Sequence, residues 1–302
     1  MYYAPIALFV YNRPLHTRQT VEALLANAEA SETPLYVFSD APRNEAASLA
    51  VAEVRSYIRD IVGFKAVTII ERETNIGLAR SIIGGVTRLC GEYGRVIVME
   101  DDLVTSPYFL RFMNDALDMY DGDERVVSIH GYVYQVKTAL PETFFLRGAD
   151  CCWGWATWKR AWNLFEPDGR LLLRELVHQK LIYRFDYDGT YPYTRMLKNQ
   201  IKGKNNSWAI RWHASAFLEN RFTLYPGRSL VLNIGFDSSG THCSTTNQYA
   251  CDIADSPINV DPIPVEENEF ARQQIVRFFK ATRLMMPIRA LHKLASMVRW
   301  VK

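Results

Sequence analysis

The stretch VIVMEDDLVTSPYF, residues 96–109, decides how the rest of the chain is read. Val96 to Met99 form an apolar run that leads straight into Glu100, Asp101 and Asp102. A short continuous apolar run that ends abruptly in polar residues reads as a strand buried on both faces. Adjacent acids at its end repel one another and are costly unless something positive joins them. A divalent cation does this, because Mg2+ and Mn2+ take hard oxygen ligands and are often held by one or two carboxylates plus the phosphates of a ligand. The plainer alternative is a solvated acidic loop ahead of a helix that starts near Ser106. Placement of the triplet at a strand end in an α/β pattern favours the cation.

That pattern extends in both directions. Apolar runs rich in β-branched and aromatic residues occupy 4–12, 34–40, 65–73, 94–102 and 125–133. Helix-like stretches lie between them at 13–28, 44–62, 75–93 and 106–120. The last of these opens with Ser106 as an expected N-cap and Pro107 at the first helical position. Strands alternating with helices predict a mostly parallel sheet with helices on both faces. Ligands of such sheets bind outside the carboxyl ends of the strands. Here those ends read Asn12-Arg13-Pro14, Asp40, the segment 71–77 and Glu100-Asp101-Asp102. Neither a G-x-G-x-x-G turn nor a G-x-x-x-x-G-K-[ST] loop follows a strand, so any phosphate must be met by a cation and arginines instead of a glycine cradle.

With 302 residues, 48% of them hydrophobic, the chain can bury a large core. A net charge of +2 gives no global nucleic-acid signature. The five cysteines include no C-x-x-C pair, which fits a reducing compartment better than a disulfide framework. No secretory signal and no long uninterrupted apolar segment is evident, so a cytoplasmic protein is expected. The stretch 255–270 is proline-marked and acidic and reads as a linker. Beyond Glu269 there are eight Arg and Lys residues and no acid. Residues 271–302 form two amphipathic stretches divided by Pro287, with Ile275, Phe278 and Phe279 on one face of the first. This composition predicts helices lying on an anionic membrane surface at its inner face. The alternative is a terminal helix packed on the domain.

The ordered segments FVYNRP (9–14), SDAPR (39–43), TNIGLARSI (74–82), VIVMEDDLVTSPYF, GWATWKRAW (154–162) and SLVLNIGFDSSGTHC (229–243) resemble bacterial sugar transferases of the GT-A fold, of the glycosyltransferase family 2 type. They are similar, more distantly, to the N-acetylglucosaminyltransferase I group. The resemblance implies a GT-A, Rossmann-like sheet over 1–254, with a nucleotide-sugar half (1–133) and an acceptor half (134–254). It further implies a nucleotide-sugar donor, of the UDP-sugar kind, held through Mn2+ or Mg2+, and a glycan or lipid-linked acceptor in cell-surface polysaccharide synthesis.

By the same resemblance Asp102 is the metal ligand, joined by His242. Asn12, Arg13, Asp40, Arg80, Glu100 and Asp101 contact the donor. Trp155 or Trp153 stacks on a sugar face, although Trp155, Trp158 and Trp162 also have the spacing of a buried helix face. An inverting transferase needs a carboxylate base. Relatives place an acid where this chain has Ala209, so the base falls to Asp150, Glu219 or Asp237, with Asp150 preferred beside the tryptophans. The polar, tyrosine-rich stretch 166–206 is expected to be a mobile acceptor-side region. A non-catalytic nucleotide-sugar-binding protein on the same fold is the competing reading.

Overall fold

The structure, a computed structural model, describes residues 3–237 and 249–282. All five strands expected in the first half form: β1 (Ile6–Val10), β2 (Pro34–Ser39), β3 (Ala66–Glu71), β4 (Arg95–Glu100) and, after the short β5 (Leu103–Thr105), β6 (Val126–His130). Between them run α1 (Pro14–Leu25), α2 (Glu45–Arg59), α3 (Leu78–Tyr93) and α4 (Phe109–Met119). The local reasons are plain in the sequence. Pro14 opens α1, and Thr17, Thr20, Val21 and Leu24 make its buried stripe. Asn44 caps α2 by accepting the Ala47 N–H at 3.1 Å. Gly94 ends α3 in the left-handed region, its N–H bonded to the Cys90 carbonyl.

The remaining strands are β7 (Thr143–Arg147), β8 (Trp155–Trp158), β9 (Phe222–Pro226) and β10 (Val231–Asn233). The main sheet has the order β3-β2-β1-β4-β8-β6-β9-β7. β3, β2, β1 and β4 are mutually parallel. β8 enters antiparallel between β4 and β6, β9 lies parallel to β6, and β7 runs antiparallel to β9. Six of the eight strands therefore point one way, and the chain has the expected α/β class with a mostly parallel sheet. β5 and β10 form a separate antiparallel pair. Helices cover both faces. Trp158 of β8 donates its indole N–H to the Leu117 carbonyl of α4, whereas Trp155 stacks on Trp208 of α9 (Trp208–Leu218).

Several expectations are corrected. The segment 155–162 is not one helix. Trp155 to Trp158 are extended and only Lys159–Trp162 (α5) is helical. Ser106 does not cap α4. Its hydroxyl donates to the Ala254 carbonyl and accepts the Tyr108 N–H, and the helix begins after that turn. The stretch 166–206 carries α6 (Gly169–His178), α7 (Ile182–Phe185) and α8 (Tyr193–Ile201), each burying apolar residues such as Leu172, Leu176, Phe185 and Leu197.

The stretch 255–270 is no free linker, and its last two residues already belong to the helix that follows. Ile258 is buried, and Asn268 N–H bonds the Phe145 carbonyl of β7 at 2.8 Å. The first tail stretch, helical over 269–282 and called α10 here, packs on the domain with Ala271, Ile275 and Phe279 buried. Its apolar face is spent on protein, not on a membrane. The second stretch, beyond Pro287, lies outside the described residues.

Candidate functional site

β1 has β2 on one side and β4 on the other, so the chain reverses its winding at this strand. Loops leaving β1 and β4 at such a switch point splay apart and open a crevice. β1 delivers Tyr11, Asn12 and Arg13 to it, and β4 delivers Glu100, Asp101 and Asp102. Arg13 sits at the N-cap of α1 and its Nη2 donates to Asp101 Oδ1 and, at 3.0 Å, to Asp102 Oδ2. The Tyr11 N–H reaches Asp101 Oδ2 at 3.3 Å. Thr20 ties the acid turn to α1: its hydroxyl donates to the Asp101 carbonyl and accepts the Leu103 N–H. Asn12 lies half-buried on the same turn as Arg13.

Burial is the largest influence on Glu100 and Asp101. It pushes the Glu100 carboxyl up, and the charges of Asp102 and Asp101 push it further. Asp101 rises to about 6 by burial, against the pull of Arg13. The loop after β10 closes over the pair. Ile234 N–H bonds the Asp102 carbonyl at 2.9 Å, and at Gly235 any side chain would strike the Asp102 carboxylate and the Arg13 guanidinium. Only glycine leaves that room.

Asp40, at the end of β2, is 6% exposed and accepts the backbone N–H groups of Ile76 at 3.0 Å and Gly77 at 2.8 Å. Its carboxylate thus anchors the loop that starts α3. Arg80 stands exposed in the first turn of that helix. His242 lies outside the described residues. Asp237 neighbours the acid site on the Gly235 loop and pairs with His16 Nε2 at 3.2 Å, while Glu219 is exposed just past the end of α9.

Trp155, expected at a donor sugar, is fully buried. Its ring lies 5.3 Å from Trp208 and 5.9 Å from Trp162, inside the core between β8 and α9. The reason is strand geometry: residues three apart on β8 point to opposite faces, and both faces are covered. Trp153 is the partly buried one, 4.6 Å from Tyr132 and 5.5 Å from Phe236 on the Gly235 loop.

Because β8 is antiparallel to β4, its start lies beside the end of β4, with Trp155 opposite Val98. The lead-in to β8 therefore approaches the end of β4, and the charge of Glu100 is felt at the Cys152 thiol. Asp150 opens this lead-in. It is half-buried, and its Oδ1 and Oδ2 accept the hydroxyls of Tyr225 and Tyr187, the second at 2.8 Å. Burial raises its carboxyl above the usual range, and the two tyrosine hydrogen bonds pull it back.

Sequence reasoning missed both tyrosines. Tyr187 lies on an unusual turn in which Tyr187, Asp188 and Gly189 have φ of 46°, 57° and 73°. Left-handed backbone costs a non-glycine residue roughly 1–2 kcal/mol and seldom occurs in runs, so neighbours must hold this turn. Arg272 of α10 does so, donating to Asp188 Oδ1 and Oδ2 at 2.7 and 2.9 Å.

Among the described residues no group of three or more His, Cys, Asp or Glu side chains is arranged to hold a metal ion. A cation at Asp102 would therefore depend on one or two carboxylates and on ligand phosphates.

No protein-family model matches the chain, and no curated protein matches it. Among solved structures it is similar to apo mouse xyloside xylosyltransferase 1, with 19% identity over 43% of this chain and a TM-score of 0.29. This chain spans little more than half, 55%, of that protein's length. It is also similar to UDP-glucose pyrophosphorylase complexed with UDP-glucose, with 11% identity over 74% of this chain and 90% of that one, at a TM-score of 0.35. Likenesses this weak carry no argument about substrate or reaction.

Proposed function

We propose that the protein is a glycosyltransferase that takes a sugar from a nucleotide-sugar donor, of the UDP-sugar kind, and passes it with inversion to a hydroxyl of a glycan or lipid-linked acceptor. The observation that carries this reading is the grip of Arg13 on Asp101 and Asp102 at the β1/β4 switch point. Asp150 supports it from the segment that leads into antiparallel β8, whose start lies beside the end of β4.

The donor set fits a divalent cation. It consists of hard carboxylate oxygens, and Mg2+ or Mn2+ is content with one or two of these when phosphates complete its shell. Asp102 would hold the ion, and a bound ion would neutralise the diphosphate as it leaves. The protein's own contributions follow from its geometry. Arg13 holds Asp101 and Asp102 together and adds positive charge where an anionic donor would sit. The Asp40 anchor fixes the start of α3 at the crevice wall. The Asp150 oxygens receive the two tyrosine hydroxyls and the Cys151 backbone N–H, which favour the charged, proton-accepting form. Asp150 can therefore take the proton from the acceptor hydroxyl while the acceptor oxygen bonds the anomeric carbon and the sugar–phosphate bond breaks toward the diphosphate. Its raised carboxyl makes it a better base than an ordinary aspartate.

The test is a thermal-shift series with Mn2+ and UDP-, GDP- and dTDP-sugars, followed by nucleotide release. One sugar nucleotide should raise the melting temperature only with metal. Asp102→Asn should abolish that shift without unfolding the protein. Donor binding that is unchanged in Asp102→Asn defeats the metal assignment. Tight binding with no nucleotide release on any acceptor favours the non-catalytic reading.

A further inference from the structure

We infer that α10 sets the orientation of the Asp150 carboxylate, with Arg272 as the positioning residue acting through Asp188 and Tyr187. The inference rests on the reading of Asp150 as the proton acceptor and adds to it the element that makes the residue fit for the role.

The connection is continuous. The Arg272 side chain is 4% exposed and grips Asp188 with both terminal nitrogens. Its guanidinium also lies 5.7 Å from the Tyr187 ring. Phe279, two turns further along α10, meets the same ring edge-on at 5.4 Å and lies 4.4 Å from Tyr191. Tyr187 is thus held from the helix side at two points, and its hydroxyl donates to Asp150 Oδ2. The left-handed run Tyr187-Asp188-Gly189 does not persist on local preference, because bulky residues avoid positive φ. Backbone strain of this kind beside a candidate catalytic group signals that the turn is placed by its surroundings for a purpose. α10 is itself anchored, with Arg184 bridging Glu267 and Glu269 at its entry. The titratable groups around Asp150 from the other elements are Tyr225 of β9, Tyr132 and Tyr134 after β6, Tyr191 and Tyr193 at α8, and Cys151 and Cys152. None of these replaces the Tyr187 hydroxyl at Oδ2.

The experiment uses the full chain with carboxyl-13C aspartate, the Asp150 resonance being assigned by its loss in Asp150→Asn. Arg272→Met breaks the ion pair from its buried end. Asp188→Asn breaks it from its half-exposed end and serves if the first variant fails to fold. Loss of a donor to the charged carboxylate raises its titration point. Both variants should therefore shift Asp150 upward, as far as Tyr187→Phe does. Adding Arg272→Met to Tyr187→Phe should shift it no further, and Arg272→Lys should recover part of the effect. Nucleotide release from the responsive sugar nucleotide should fall about tenfold in kcat with donor KM unchanged. An Asp150 titration that is unmoved in Arg272→Met and in Asp188→Asn overturns the inference. Full turnover in Asp150→Asn, with the titration shifts as expected, instead defeats the base assignment and leaves the Arg272 coupling standing.

Discussion

Arg13 is the only cation bonded to Asp101 and Asp102 among the described residues, and all three side chains are largely hidden from water. Removing one partner of a buried ion pair strands the other charges, at a cost of about 3–5 kcal/mol. Arg13→Met should lower the urea unfolding free energy by about that much, and saturating Mn2+ should restore part of the loss if Asp102 accepts the ion. No recovery with Mn2+ would count against a cation at this place. The acid triplet and Arg13 were legible in the sequence because a buried strand in an α/β pattern fixes which end faces the ligand. The segment 155–162 was misread as one helix because spacings of three and seven suit a helix, whereas Gly154 turns the chain into a strand whose two faces are both buried. Tyr187 and Tyr225 were invisible for another reason. They lie 37 and 75 residues from Asp150, and a single sequence carries no trace of such pairings.

At the level of elements the parallel strands and their helices were legible, since continuous apolar runs alternate there with clean helical periods. β7 to β10 were not, since no such alternation marks them and their register comes from distant partners. The tyrosine-rich stretch 166–206 looked mobile because its helices are brief and their apolar residues few, yet α6 and α8 close on α9 to form the wall beside Asp150. α10 was recognised as an amphipathic helix, but periodicity cannot say what covers an apolar stripe. Lipid and Tyr134, Tyr187 and Tyr191 satisfy it equally well. A chain ending at Asn268 would expose those rings and lose the burial of Ile275 and Phe279, worth roughly 1.5–3 kcal/mol for each side chain. Such a chain should unfold at markedly lower urea concentration than the full protein and bind a hydrophobic dye. Equal stability of the two would show that α10 does not belong to the fold.

Over the whole molecule two histidines shape the response to acid. His130 ends β6 with neither ring nitrogen bonded, and His213 of α9 accepts the Ala149 N–H while stacking on Phe185. Burial holds both imidazoles neutral and carries them from 6.5 down to about 3. Protonation is then taken up by the unfolded chain first. Their contribution to stability is complete above pH 6.5 and drains away as pH falls from 6.5 toward 3, by about 1.4 kcal/mol per pH unit for each histidine. The raised Glu100, Asp101 and Asp150 carboxyls act in the opposite sense, so the histidine share is read as a difference: the stability of the native protein relative to His130→Leu, measured by urea unfolding, should fall as pH is lowered from 7.5 to 5. A difference that stays constant over that range would contradict the burial of His130. The order of synthesis matters too. A ribosome delivers β1 to β4 first, so their pairing can begin before the rest of the chain has emerged. Asp150, Tyr187 and Tyr225 follow, but Arg272 and Phe279 come after all of them. A nascent chain can therefore hold the Arg13–Asp101–Asp102 crevice while Asp150 is still unsupported, so the proposed transfer would wait on α10 leaving the exit tunnel.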